Sequence, residues 1–176
     1  MPRQTQRWCF LVSLLATGVI FVTADCSLLL AQTETSQDFT PVTDGMLAAP
    51  SDDDWLMWRR TLDGWGYSPL DQITRDNVGG LRMVWSWAME TGSQQTTPIV
   101  HEGVMFLASP GNIVQALDAA TGDLLWEYRR DFEGGRGRGR PNRNVAIYEN
   151  TVILNTADAN IVALDLQTGD VVWEAN

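Results

Sequence analysis

The arginines are the side chains whose number and spacing suggest binding chemistry. All 12 basic residues of the 176-residue chain are arginines, and half of them lie between positions 129 and 143, where glycines alternate with arginines from Gly135 to Arg140. A guanidinium group binds carboxylates through two parallel hydrogen bonds. The run therefore predicts either a loop that attracts a carboxylate-rich ligand or a flexible, solvated loop without one. Its six arginines are Arg129, Arg130, Arg136, Arg138, Arg140 and Arg143.

Other kinds of site find little support in the sequence. The net charge of −10 disfavours a nucleic-acid binder, although Arg/Gly segments can bind single strands. The lone His101 is predicted in a surface turn beside Glu102 and Gly103, where a metal-binding or basic role has no partner residue. The sequence has no phosphate-binding glycine loop, no His or Cys set with metal-ligand spacing and no serine nucleophile motif. It therefore does not predict a self-contained hydrolase or nucleotide-dependent enzyme.

The first 31 residues have the order of charged, apolar and small residues that is typical of a secretory signal peptide. Two arginines precede an uncharged run from Trp8 to Ala24, and small residues allow cleavage after Ala24 or Ala31. The run is short for a membrane-spanning helix, which needs about 20 residues. We therefore expect cleavage and a periplasmic protein rather than a retained membrane anchor.

The two cysteines support the same compartment. Cys9 is lost with the signal peptide, so the exported protein has at most one thiol and no intramolecular disulfide. Lipidation of Cys26 is disfavoured, because Asp25 stands where such signals need a small neutral side chain. Residues 32–54 are rich in Thr, Ser, Asp and Pro, which predicts a linker or an adherent arm.

An internal repeat determines the fold prediction. Residues 116–127 (ALDAATGDLLWE) and 163–174 (ALDLQTGDVVWE) agree at eight of twelve positions with an offset of 47. A period in the 40s with several short apolar runs is typical of a β-propeller blade of four strands. The turn residues of the first unit place its strands at 96–100, 104–109, 113–118 and 124–129.

The repeated segment predicts a device that joins neighbouring blades. Gly122 can adopt a positive φ and close a tight turn, and Asp118 can accept hydrogen bonds from the backbone of that turn. Trp126 then lies on the outermost strand, opposite the small Ala116, and can pack flat on a turn of the neighbouring blade. The equivalent residues of the second unit are Gly169, Asp165, Trp173 and Ala163. These residues are predicted to be structural rather than catalytic.

The repeat resembles the tryptophan-docking motif of pyrroloquinoline quinone (PQQ) dehydrogenases. The block before the repeat is more specific, because it looks like the mature N-terminus of PQQ-dependent alcohol dehydrogenases. The matching residues are Trp55-Leu56-Met57-Trp58-Arg59-Arg60, residues 64–73 (GWGYSPLDQI), and the Asn77, Leu81 and Trp85 positions. The resemblance implies an eight-bladed, all-β propeller with PQQ and calcium on its axis. It also implies oxidation of primary alcohols with an aspartate as general base, and electron transfer to a cytochrome c.

The resemblance implies two cofactor-binding residues in this chain. Gln95 stands where the family has a glutamate that contacts the quinone, and an amide there brings no charge. Arg143 matches the family arginine that hydrogen-bonds the quinone oxygens. Gly137 and Arg138 replace the two adjacent cysteines of many members. By the same resemblance the arginine run would face the three carboxylates of PQQ. The resemblance puts no catalytic residue or calcium ligand within the chain, because those belong to later blades.

Two blades cannot close a propeller ring, so we expect the N-terminal fragment of a longer periplasmic alcohol dehydrogenase, inactive alone. Its partners would be the missing C-terminal blades and, in the full-length family, a cytochrome c. The alternative is a non-catalytic propeller scaffold resembling the outer-membrane assembly lipoprotein. The predicted order is a signal peptide (1–31), a linker or arm (32–54), an N-terminal dehydrogenase block with an outer strand (55–95), a first blade (96–130), an Arg/Gly inter-blade loop (131–144) and a second blade (145–176).

Overall fold

A computed structural model describes residues 38–130 and 141–176. The predicted signal peptide and the glycine-spaced part of the arginine run lie outside these residues. The described elements, all within one compact unit, are a helix α1 (Asp44–Ala48), a short 3-10 helix (Val78–Gly80) and the eight strands β1 (Ile99–His101), β2 (Val104–Ser109), β3 (Ile113–Asp118), β4 (Leu124–Arg129), β5 (Ala146–Tyr148), β6 (Thr151–Asn155), β7 (Ile161–Asp165) and β8 (Val171–Ala175).

The strands form two four-stranded sheets in simple sequential order, β1-β2-β3-β4 and β5-β6-β7-β8. Every neighbouring pair is antiparallel, as tight hairpins require. The observed β2, β3 and β4 have the predicted bounds, whereas β1 is shorter than predicted. Before it, Pro98 has no N–H to donate and the Thr97 N–H bonds to the Arg143 carbonyl instead (3.2 Å). The predicted all-β fragment of two propeller blades is confirmed.

In each blade, the glycine of the turn before the last strand is covered by a tryptophan from the part of the chain that precedes the blade. Trp126 on β4 packs so closely on Gly169 that a Cβ added to Gly169 would lie 2.5 Å from Trp126 Cε3. Trp85 covers Gly122 in the same way, with Cδ2 at 2.6 Å from such a Cβ. Each indole N–H donates to the carbonyl three residues before its glycine, at 2.8 Å for Leu166 and 3.1 Å for Ala119. The predicted docking of Trp126 is therefore confirmed, and Trp85 docks by the same contacts.

The turns use the hydrogen bonds that the sequence predicts. The Asp118 carboxylate accepts from the backbone N–H groups of Ala120 and Thr121, both at 2.8 Å. Asp165 accepts in the same way from Gln167 and Thr168. Gly122 and Gly169 have φ of +78° and +74°, so both glycines are needed for conformation as well as for space.

The hydrophobic core lies between the two sheets and extends under the N-terminal residues. Val42 and Leu56 from the N-terminal residues are as buried as Phe106 of β2 or Leu154 of β6. Residues 38–56, here called the strap, therefore contribute to the same core as both blades. Reciprocal backbone hydrogen bonds fasten the strap to both sheets: Val42 pairs with Glu149, and Trp55 pairs with Val100.

The prediction that His101 lies at the surface is wrong. Its side chain is 0 % exposed, because β1 extends to this residue and the strap covers it. Phe39 of the strap stacks on the imidazole with the ring centres 5.9 Å apart. The turn residues Glu102 and Gly103, which suggested exposure, are themselves exposed.

Two apolar surfaces remain exposed within the described residues. Between Trp58 and Val84, large side chains such as Trp65 (78 %) and Met83 (83 %) are exposed. On the far sheet, β8 is exposed throughout, and Trp173 is 44 % exposed whereas its equivalent Trp126 is 8 % exposed. The predicted outer strand belongs to the 55–95 block, in which Trp85 and Trp87 lie along the first blade and residues 85–90 pair with no strand in the described ranges. Among the described residues, no helix is long and apolar enough to cross a bilayer.

Candidate functional site

Gln95 and Arg143 lie at the entries of the two blades, four residues before β1 and three residues before β5. The backbone hydrogen bond from Thr97 N–H to the Arg143 carbonyl (3.2 Å) joins these two entry segments. Thr96 fixes the first segment to β2, because its hydroxyl accepts from the Ala108 N–H (3.3 Å). The two entry segments, far apart in sequence, are thereby held side by side.

The side chains of these two residues are in direct contact. Arg143 Nε donates to Gln95 Oε1 at 2.9 Å, and both side chains are exposed. Gln95 Nε2 in turn donates weakly to Ser93 Oγ at 3.5 Å. The structure therefore brings together the two residues that the sequence singled out.

The pair carries one positive charge, that of the Arg143 guanidinium. Gln95 is neutral, and in the ranges 38–130 and 141–176 no carboxylate forms an ion pair with Arg143. A guanidinium has five N–H donors, of which Gln95 accepts one. The remaining donors can bind carboxylate or carbonyl oxygens of a ligand. Beside it, Asn142 Nδ2 is buried without a hydrogen-bond partner among the described residues.

This set of donors fits a planar, oxygen-rich anion such as PQQ. A guanidinium supplies charge and parallel donors, and the Gln95 amide can both donate and accept. The set does not fit calcium, which takes six to eight oxygen ligands that include carboxylates. Among the residues that the structure describes, no group of three or more His, Cys, Asp or Glu side chains could hold a metal ion.

The arginine run divides into residues with different roles. Arg129 pairs with Glu90 (2.7 Å) and Glu127 (3.0 Å), and its pKa is raised by hydrogen bonds to Glu90 first and then to Glu127. Arg130 makes a bidentate contact with Glu174 (3.0 and 2.8 Å) and also reaches Asp158 (3.0 Å). These two arginines hold structural elements together. Arg136, Arg138 and Arg140 lie outside the described residues.

Three contacts of this region were not predicted from the sequence. Arg130 links the end of the first blade to β8 of the second, and its hydrogen bonds, chiefly to Glu174, raise its pKa further above the ordinary range. Gln115, buried in β3, accepts from Trp87 Nε1 (3.2 Å) and donates to Glu127 (2.7 Å). The only sequence signal was the polar Gln115 inside an apolar strand, since a buried amide requires partners.

Comparison with known proteins agrees with this architecture. The family model for the PQQ β-propeller domain of glucose, ethanol and alcohol dehydrogenases matches residues 55–174. The dehydrogenase subunit of the quinone-dependent alcohol dehydrogenase of Gluconacetobacter polyoxogenes is 45 % identical over 75 residues, which cover 42 % of this chain and 10 % of that protein. The 1-butanol dehydrogenase (cytochrome c) of Thauera butanivorans is 41 % identical over 90 residues, covering 48 % of this chain and 13 % of that protein.

The solved structures give the same result. The quinohemoprotein alcohol dehydrogenase from Pseudomonas putida HK5 superposes with a TM-score of 0.73 at 32 % identity, covering 79 % of this chain and 22 % of that one. The chain thus spans only a tenth to about a fifth of the length of these relatives. Because these three relatives are dehydrogenases, the alternative of a non-catalytic scaffold is not favoured. The chain belongs to the PQQ β-propeller family of glucose, ethanol and alcohol dehydrogenases and corresponds to an N-terminal portion of a quinoprotein alcohol dehydrogenase.

Proposed function

We propose that this chain forms part of a periplasmic, PQQ-dependent enzyme that oxidises alcohols, and that Arg143 and Gln95 bind the quinone. The observation that carries the proposal is the 2.9 Å contact between Arg143 Nε and Gln95 Oε1 at the entry of the two blades. Among the described residues, this contact leaves Arg143 with further N–H donors for a ligand, at the position where the family resemblance implies a quinone contact.

Each residue has a distinct role in the proposal. Arg143 supplies the positive charge and donates hydrogen bonds to quinone or carboxylate oxygens of PQQ. Gln95 orients the guanidinium by accepting from Nε, and its own N–H groups can donate to the ligand. When bound, PQQ supplies the two-electron redox chemistry for alcohol oxidation.

Arg143 can be tested by direct binding. PQQ is titrated into the purified mature chain, and bound quinone is measured by equilibrium dialysis and by quenching of tryptophan fluorescence. Arg143→Ala should weaken binding about tenfold or more, because charge-assisted hydrogen bonds are lost. Arg75→Ala removes an arginine of another loop that is also exposed and is the matched control. Equal affinities of the wild type and Arg143→Ala would contradict the role of Arg143.

The whole-enzyme features are supported by the relatives. The Thauera relative is named for cytochrome c as its acceptor, which supports a cytochrome c partner here, and the amino-terminal residue pattern supports export to the periplasm. We further propose that the chain alone is inactive and requires the remaining propeller blades and a calcium site from them. The small share of the relatives that it spans supports this part.

The proposed inactivity has its own assay. The mature chain is mixed with ethanol, PQQ, Ca²⁺ and an electron-accepting dye, and no turnover above a protein-free blank is expected. Turnover that disappears in Arg143→Ala would overturn the proposed inactivity while supporting the quinone site. Export is tested separately, by cell fractionation and by sequencing of the mature amino terminus, with Gln32 or Asp25 expected as the first residue.

A further inference from the structure

His101 is the only histidine of the chain, and its buried ring lies between the strap and the first blade. Its Nε2 is 2.9 Å from the carbonyl oxygen of Thr40, and its Nδ1 is 3.4 Å from Asp54 Oδ2. Both partners belong to the strap, whereas His101 ends β1. The ring therefore connects two separate points of the strap to the blade.

The partners determine which ring nitrogens carry protons. A carbonyl oxygen only accepts hydrogen bonds, so Nε2 must carry a proton to bond Thr40. The Asp54 carboxylate is likewise an acceptor, and its other oxygen already accepts from the Glu102 N–H at 3.0 Å. A neutral ring would therefore direct a lone pair from Nδ1 at a carboxylate oxygen. While Asp54 is ionised, only the imidazolium, with two N–H donors, satisfies both contacts.

Two carboxylates face the His101 ring: Asp54 from the strap, which is 6 % exposed, and Glu102 from the turn after β1. Hydrogen bonds from Thr40 lower the pKa of Glu102, and the charge of His101 adds a smaller effect in the same direction. Burial without a partner makes either charge costly, so removing the charge of one partner leaves the other uncompensated.

We propose that the doubly protonated His101 fastens the strap to the first blade, and that loss of one ring proton loosens the strap. The strap is a pH-sensitive clasp, because deprotonation of Nδ1 removes the donor that faces Oδ2 of the buried Asp54 carboxylate. This property is independent of quinone binding. The strap also bridges to the second blade through Val42 and Glu149, so its release exposes core residues of both sheets.

Raising the pH should weaken the clasp, since its contribution depends on the charged form of the ring. The state of the ring is followed by ¹⁵N NMR of the single histidine from about pH 5 to about pH 9. The state of the strap is followed by hydrogen exchange of the Val42 and Trp55 amides, corrected for intrinsic exchange rates. We expect protection of both amides to fall about tenfold as the ring loses its second proton. The amides of β3 serve as an internal reference and should not follow that transition.

Asp54→Asn separates the clasp from simple packing. The Asn amide can still accept from the Glu102 N–H, but it presents a donor to Nδ1 and so suits the neutral ring. In this variant, strap protection should no longer depend on the protonation of His101. The proposal is overturned if the wild-type strap keeps its protection through the titration, or if Asp54→Asn keeps the wild-type pH dependence. A neutral ring facing a protonated Asp54 in the docked state, seen by ¹³C NMR of the carboxyl group, would overturn it as well.

Discussion

Trp126 and Gly169 are in contact across the boundary between the two blades, and the indole occupies the space that a side chain at position 169 would need. A Cβ on Gly169 would lie 2.5 Å from Trp126 Cε3 and 2.7 Å from Cδ2. The glycine also has φ of +74°. Conformation and space both restrict this position, and the two effects can be separated experimentally.

Gly169→Ala should destabilise the chain more than an alanine at another left-handed glycine. Gly111 is the matched control, because it has φ of +91° but no atom within 4 Å of an added Cβ. Both substitutions incur about 1–2 kcal/mol for the left-handed conformation, and Gly169→Ala adds about 1–3 kcal/mol for displacing the indole. Urea unfolding followed by tryptophan fluorescence measures both free energies. Equal losses would show that the contact with Trp126 has little energetic weight.

The two equivalent tryptophans should differ in their contribution to stability. Trp126 is 8 % exposed and donates to the Leu166 carbonyl, whereas Trp173 is 44 % exposed. We expect Trp126→Ala to reduce the free energy of unfolding by about 3–5 kcal/mol, as for other buried aromatic residues. Trp173→Ala is the control in the same repeat position and should cost clearly less. The expectation fails if chemical denaturation gives the two variants the same midpoint.

The features predicted correctly from the sequence are those that local chemistry determines. Gly103, Gly111 and Gly122 mark the hairpin turns, and β2 to β4 follow with the predicted bounds because each turn needs a positive φ. The docking of Trp126 was also predictable, because the repeat contains both the indole and its glycine. In the candidate site, Gln95 and Arg143 came from the family resemblance, whereas their contact was not predicted and depends on the backbone hydrogen bond that joins the two entry segments.

The features that sequence analysis missed depend on partners distant in the chain. A surface position was predicted for His101 because its neighbours are turn residues, but the Phe39 ring and the Thr40 carbonyl that cover it lie about sixty positions earlier. Arg130 belonged to a run that suggested ligand binding, yet Glu174 pairs with it from β8. Neither partner is marked by a local pattern, because an ion pair or a buried ring needs only proximity in the folded chain.

Because Arg130 and Glu174 form an ion pair, we expect the free energy of unfolding to depend on pH in the acid range. Hydrogen bonds from Arg130 lower the pKa of Glu174 below its ordinary value. A carboxyl group with a lowered pKa in the folded state stabilises the protein above its unfolded pKa, and this contribution is lost as pH falls through the folded value. The loss is therefore expected below about pH 4.5, close to the pKa of an unperturbed glutamate.

Glu174→Gln tests this ion pair, because it keeps the shape of the side chain and removes the charge. The variant should show a flatter decline of unfolding free energy between about pH 5 and about pH 2 than the wild type. Asp170→Asn removes an exposed carboxylate just before β8 that is not part of this ion pair and is the control. Addition of salt at neutral pH should reduce the difference between wild type and Glu174→Gln. Identical pH profiles for wild type and Glu174→Gln would contradict the prediction.

Asp118 predicts a second acid-sensitive contribution, located in the turn on which Trp85 docks. Backbone hydrogen bonds from Thr121 and Ala120 lower the pKa of Asp118, so its contribution is present above the unfolded pKa and declines as pH falls through the folded value. Asp118→Asn keeps one acceptor oxygen for the turn but removes the charge, and it should reduce the acid dependence while preserving most of the stability at neutral pH.

Asp118→Ala removes both acceptors and should also weaken Trp85 docking, because the Ala119 carbonyl that accepts from the indole lies in the same turn. Tryptophan fluorescence during acid titration measures both effects, and an Asp118→Ala variant with unchanged emission and stability would show that Gly122 alone maintains the turn.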